Sequence, residues 1–297
     1  MRTPAPTTSV TSRRRPGDGT PPSGRLALLR HAWLQTLLGG VVLFTALDAA
    51  TLATRNINLV PSVIVVGAFL GPVAFVTYVY ERAPEVPLPT LLRCFIVGGL
   101  LGLGAAAVLE YRTLIELGAL PAIAIGLIEE TCKLLLPVAI LLRGRYHREA
   151  DGVLFGVASG MGFAAFETMG YGLSALLASQ GHIGEVERVL FIRGVLSPAN
   201  HAAWTGLVCA ALWRASARPA RCGLWAAPAA FAVAVALHAL WDSVRTLEQQ
   251  IPIGVVSLAL VAWRIHAASK PAVAGPPSSG PRFVRPRRPT LSGPRSS

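Results

Sequence analysis

Side chains able to do acid–base or ligand chemistry stand inside runs of the sequence that are otherwise apolar. The stretch IGLIEETCKLLLP, residues 125–137, holds Glu129, Glu130 and Lys133. Further along the chain come Glu167, then Arg193, Asn200 and His201, then His238 and Asp242. Carboxylates and imidazoles are the groups that move protons, activate water and bind divalent cations. Their spacing is consistent with joint work. Glu129 and Glu130 precede Lys133 by four and three residues, so on a helix the ammonium reaches back to either carboxylate. Adjacent helical residues point about 100° apart, so the two glutamates cannot do the same job. His238 and Asp242 are one turn apart, which lets the carboxylate orient the imidazole. Phe163, Glu167 and Tyr171 share one helical stripe.

The elements that carry these residues are membrane helices. Of 297 residues, 53% are hydrophobic and only 14% charged, and mean hydropathy is +0.53. A soluble domain carries closer to a quarter charged residues. The apolar residues come in eight runs, 32–53, 59–80, 91–110, 118–142, 152–178, 189–213, 224–245 and 251–268, each near the ~20 residues that span a bilayer. The expected fold is therefore all-α, a polytopic bundle of about eight transmembrane helices. A charge at the bilayer centre costs at least ~2.5–3.5 kcal/mol. The ionisable residues above are thus expected to face the bundle interior, near mid-depth, around one wet cavity. In the sixth run Pro198 is expected to kink the helix and free backbone groups near Asn200 and His201.

Charge distribution orients the bundle. With the N-terminus inside, the outer segments hold only Arg55, Arg112, Arg188 and Arg245 of the 27 Lys and Arg residues; Arg193 and Lys133 lie within helices. The rest fall in the tails and the inner loops. By the positive-inside rule both termini are cytoplasmic. This distribution also accounts for the net charge of +12 without a nucleic-acid surface. Residues 1–30 and 270–297 are rich in Pro, Ser, Gly and Arg and read as disordered basic tails. Cys94, Cys132, Cys209 and Cys222 show neither metal spacing nor a disulfide framework. Richness in Ala, Arg, Pro and Gly points to a GC-rich bacterial genome, and so to a multi-pass protein of a bacterial plasma membrane.

Four pieces of sequence together resemble the PrsW family of intramembrane proteases, itself similar to the CAAX prenyl protease and abortive-infection membrane proteins. EETCK (Glu129–Lys133) is similar to the family's E-E-x-x-K. DGVLFGVASGMGFAAFETMGY (Asp151–Tyr171) resembles its D-G-x-x-x-G…G-F-x-x-x-E…Y segment. RGVLSPANHAAWTG (Arg193–Gly206) and HALWD (His238–Asp242) resemble the Arg/His and H-x-x-x-D pieces of the next two helices. The match departs from the family at Thr168, where Asn usually follows the glutamate. The resemblance implies a transmembrane protease domain over residues 31–269 with core motifs at 118–245. It implies hydrolysis of peptide bonds in a membrane-anchored protein, an anti-sigma-factor-like protein among the options.

Under that reading Glu129 or Glu130 is the general base on water. His201 and His238 hold the water or the oxyanion, Asp242 orients His238, and Glu167 is a second carboxylate for proton shuttling or metal. Lys133, Phe163, Asn200 and Arg193 support them. The alternative mechanism is zinc hydrolysis with Glu130, Glu167, His201 and His238 as ligands, although the compact H-E-x-x-H spacing is absent. Other classes remain. Buried Glu–Lys and His–Asp pairs can simply hold helices together in a non-catalytic scaffold. A proton-coupled transporter also places such groups at mid-depth, but no internal repeat relates two halves of the chain.

Overall fold

The computed structural model describes residues 31–82, 85–217, 225–244 and 246–268, and every regular element among them is helical. The two basic tails, Cys222 and Arg245 lie outside the described residues. We number the helices α1 (Ala32–Thr54), α2 (Val60–Tyr80), α3 (Leu88–Leu117), α4 (Ala122–Lys133), α5 (Leu135–Leu142), α6 (Glu149–Ala178), α7 (Ile183–Leu196), α8 (His201–Ala217), α9 (Ala226–Ser243) and α10 (Leu247–Ala268). Six of them, α1, α2, α3, α6, α9 and α10, are long and apolar enough to cross a membrane. In hydrocarbon no water is present to satisfy the backbone, which leaves helices as the way for such runs to cross.

The other two of the eight expected segments are each interrupted, and a proline accounts for each interruption. Pro137 has no N–H to give the carbonyl of Lys133 and its ring crowds that oxygen. The chain accordingly breaks at Leu134 between α4 and α5. The freed Lys133 carbonyl accepts the Ser159 hydroxyl of α6 at 2.7 Å. Pro198 acts likewise between α7 and α8, where Ser197–Ala199 form one 3₁₀ turn. The third segment is longer than expected, running to Leu117 rather than 110, and bulges through a π-helical turn at Cys94–Gly98. Asp151, in the first turn of α6, accepts the Arg148 N–H at 3.1 Å and so caps that helix.

Helix α6 is the axis of the fold and packs against α8, α2, α3 and α7. Its buried stretch runs unbroken from Asp151 to Ala165. Glycines make this possible. A Cβ at Gly156 would sit 2.6 Å from the Thr205 carbonyl of α8, and one at Gly160 would collide with the His201 carbonyl. On another face of α6, Gly162 meets the Phe95 carbonyl in the π turn of α3, and Gly99 of α3 meets Gly162 in return. Without a hydrophobic drive between helices in lipid, such backbone contact supplies the packing energy. Gly126 of α4 does the same against α9, where its Cβ would lie 3.1 Å from the Val235 carbonyl. The three described cysteines are buried and free.

A methyl group tests the α3–α6 contact directly. Gly162→Ala should force the two helices apart at a cost of about 1–3 kcal/mol, read as a lowered thermal midpoint of the purified protein in detergent. Gly104→Ala, on the partner helix α3 with nothing within 4 Å of its Cβ, should leave the midpoint in place or raise it slightly.

A candidate active site at the centre of the bundle

The glycine contacts aim the polar residues at one another. Gly126 and Glu130 are one turn apart on α4, so the face that approaches α9 also carries Glu130 towards His238. Gly160 and Glu167 are seven residues apart on α6, so the face that meets α8 at His201 carries Glu167 as well. The result is a network drawn from α4, α6, α7, α8 and α9.

Lys133 is fully enclosed, with its ammonium 2.8 Å from Glu130 Oε1 and 3.0 Å from Glu129 Oε2. It also lies 4.5 Å from the centre of the Phe163 ring. Glu130 is enclosed too. Its Oε1 lies 2.9 Å from His238 Nδ1, and its Oε2 accepts the Thr205 hydroxyl at 3.3 Å. The carboxylate accepts a hydrogen bond from Nδ1–H, so the Nε2 nitrogen of a neutral His238 carries the free lone pair. That nitrogen lies 3.4 Å from Asp242 Oδ2 and 3.6 Å from Glu129 Oε2. The indole of Trp204 stacks on the His238 ring with centroids 4.7 Å apart, and its own Nε1 donates to Ser257 at 2.9 Å. His238 is therefore held on two sides.

The opposite wall is built on Glu167. Its Oε2 lies 2.7 Å from Arg193 Nη2 and 3.4 Å from His201 Nε2. Arg193 also donates from Nε to Thr168 Oγ1 at 3.1 Å and lies 4.0 Å above the Tyr171 ring. The threonine that departs from the family pattern thus keeps a polar role, as acceptor for the arginine. Asn200 accepts the His201 N–H at 2.8 Å, and so helps fix the first turn of α8 instead of reaching the cavity. The His201 ring packs against Phe163, centroids 5.9 Å apart.

Between these walls lies a cavity of about 420 Å³, lined among others by Glu110, Glu129, Glu167, His201, His238 and Asp242. Glu130 and Lys133 sit behind its surface. The residues singled out from sequence thus divide. Glu129, Glu167, His201, His238, Asp242, Arg193 and Phe163 line the cavity, while Glu130, Lys133 and Asn200 support residues that do. Sequence reasoning passed over Glu110 and Thr205. Glu110 is an acid in an apolar run, but the shorter span expected for α3 put it at a helix end. Thr205 follows His201 by one turn, a spacing that alone says little.

Glu129, Glu167 and His201 each bring one ligand atom to within 4.8 Å of the others. Glu129 Oε2 and Glu167 Oε2 are buried and receive no aligned hydrogen bond from the described residues. The approaches from Lys133 and Arg193 to these oxygens are ion-pair contacts only. Two such oxygens and an imidazole are a donor set that suits a divalent cation, zinc included. The set shares Glu167 and His201 with the one expected from sequence. Glu130 and His238 instead face each other.

Lys133 balances the two carboxylates of α4, and removing it tests how tightly the network depends on that charge. Lys133→Met should destabilise the protein by about 3–5 kcal/mol, the usual cost of leaving a buried partner unpaired. Adding Glu130→Gln should recover part of that loss, because one uncompensated charge is then gone. Thermal midpoints of the single and double variants in detergent give the coupling.

The comparison with known proteins agrees with this arrangement. No curated protein and no solved structure matches the chain. A family model, described as the PrsW family intramembrane metalloprotease, matches residues 86–267, which takes in α3 to α9, nearly all of α10 and every residue of the network above. The match spans more than half of the chain, and its helices carry a polar cavity lined by carboxylates and imidazoles in an apolar bundle: the protein is a multi-pass membrane peptidase belonging to the PrsW family of intramembrane metalloproteases.

Proposed function

We propose that this protein cuts membrane-anchored proteins inside the plasma membrane of a bacterium, with Glu129, Glu167 and His201 as the ligands of a catalytic divalent cation. The observation that carries the reading is the meeting of those three ligand atoms at the wall of one cavity in an apolar bundle. Eight crossings with both termini cytoplasmic fit the charge distribution, the two broken segments counting as one crossing each. A substrate of the anti-sigma-factor type suits such a protease.

A zinc ion held there would polarise the scissile carbonyl and acidify a bound water. The chain supplies the proton path. His238 Nε2, 3.6 Å from the ligand oxygen Glu129 Oε2, would accept the proton of a water in the cavity. From there it reaches the leaving amine. Glu130 anchors His238 Nδ1 and keeps Nε2 turned to the cavity, and Asp242 stabilises the imidazolium that forms, the division of labour of a base and its orienting carboxylate. Arg193 holds Glu167 in place. In this scheme Glu130 is a positioning residue, because Lys133, His238 and Thr205 already occupy its oxygens.

Reconstitution with a single-pass substrate in proteoliposomes tests the assignment. Glu129→Gln, Glu167→Gln and His201→Ala should each slow cleavage by roughly 10³-fold or more. Wild-type protein should carry about one zinc per chain, and His201→Ala should lose it. Full activity in both glutamate variants would refute the site. Full activity in metal-free protein would instead favour water activation by glutamate alone. Transport of protons or solutes without cleavage would support the transporter class.

A further inference from the structure

The cavity wall carries four carboxyl groups, Glu110, Glu129, Glu167 and Asp242, against a single guanidinium, Arg193. Three of the four have a basic partner. Glu129 has Lys133, Glu167 has Arg193, and Asp242 has His238. Glu110 forms no ion pair with any described residue, and its buried Oε1 has no hydrogen-bond partner among them. It is also outside the group of three atoms suited to a cation. A carboxylate left without a cation in a cavity of an apolar bundle is costly, and such groups mark pathways for charged ligands.

Its surroundings say which ligand. The other residues that α3 gives to the cavity are Leu103, Ala106 and Ala107. With Glu110 they fall at one-turn and two-turn spacings and form a single stripe. An apolar track that ends in an acid complements a long methylene stem that ends in a cation, which is the form of a lysine or arginine side chain. The track shares its cavity with Glu129, Glu167 and His201, so a side chain lying along it belongs to a residue close to the bond being cut.

We propose that Glu110 is a specificity-determining residue that selects a lysine or arginine flanking the scissile bond of the substrate. This rests on the protease reading above, and extends it to a residue on α3 that takes no part in the chemistry. Burying the substrate cation against Glu110 lowers the cost of both charges, and a neutral side chain on the same track leaves the acid unpaired.

The test uses the full chain in lipid nanodiscs and fluorescent single-pass peptides. One series carries lysine at each central position in turn, and the matched series carries leucine. Cleavage is followed with wild-type protein, and binding with the Glu129→Gln protein, each with and without Glu110→Gln. The expected result is a lysine preference at one position, with a lysine-to-leucine ratio that Glu110→Gln lowers about tenfold in both readouts. Glu110→Lys should reverse the preference towards peptides with glutamate at that position. Equal cleavage of the lysine and leucine series by wild-type protein would overturn the proposal and leave the protease reading standing. So would a Glu110→Gln variant that slows both series by one common factor. If the wild type cuts nothing but binds lysine peptides through Glu110, the protease reading falls and the recognition role survives. If it neither cuts nor binds selectively, both fall.

Discussion

The structure turns on one fully enclosed ammonium group shared by two carboxylates. Lys133 sits within 3.0 Å of both Glu129 and Glu130, and none of the three can be left uncompensated in the interior without a penalty of several kcal/mol. That requirement recruits neighbours. Glu130 has acceptor capacity left after Lys133, and His238 of α9 and Thr205 of α8 take it up. The Lys133 carbonyl, freed by Pro137, is taken by Ser159 of α6. Three helices are thereby tied to one turn of α4 by polar contacts, in a bundle where apolar contact with a neighbouring helix is hardly preferred over contact with lipid.

Small residues make the ties geometrically possible. Backbones touch where α6 meets α8 and α3, and where α4 meets α9, and each contact lies one or two turns from a residue of the cavity. The two proline breaks serve the same end. A continuous helix from 118 to 142 would keep the Lys133 carbonyl inside its own ladder and give Ser159 nothing to bind. A continuous helix through Pro198 would lack the free N-terminal turn that Asn200 caps, and His201 stands in that turn. Irregular backbone at membrane depth is tolerated where protein encloses it or where it lines a cavity, and both breaks meet that condition.

Much of this was legible in the residues. Glu129, Glu130 and Lys133 had to turn inward because lipid repels them, and Glu–Lys spacings of three and four residues fixed their mutual contact on any helix. Pro198 announced its break by having no N–H to give. Pro137 carries the same signal, and the apolar run on both sides of it hides the break at Leu134. The end of α3 was misplaced because Glu110, Arg112 and Glu116 lower hydropathy over its last two turns, and with that boundary went the acid of the cavity that has no ion-pair partner among the described residues.

The sequence by itself determined the class of molecule and which residues are excluded from lipid, because hydropathy and the cost of burying charge act on each segment alone. It also determined contacts within a helix, where spacing is geometry. Only the tertiary structure decided which glutamate faces the cavity. Glu129 and Glu130 are neighbours of one type, and nothing local separates them. The α4–α9 approach at Gly126 turns Glu130 onto His238 and Thr205 and leaves Glu129 to meet Glu167 and His201. That choice depends on rotations and crossings of helices far apart in the chain, which no single segment encodes.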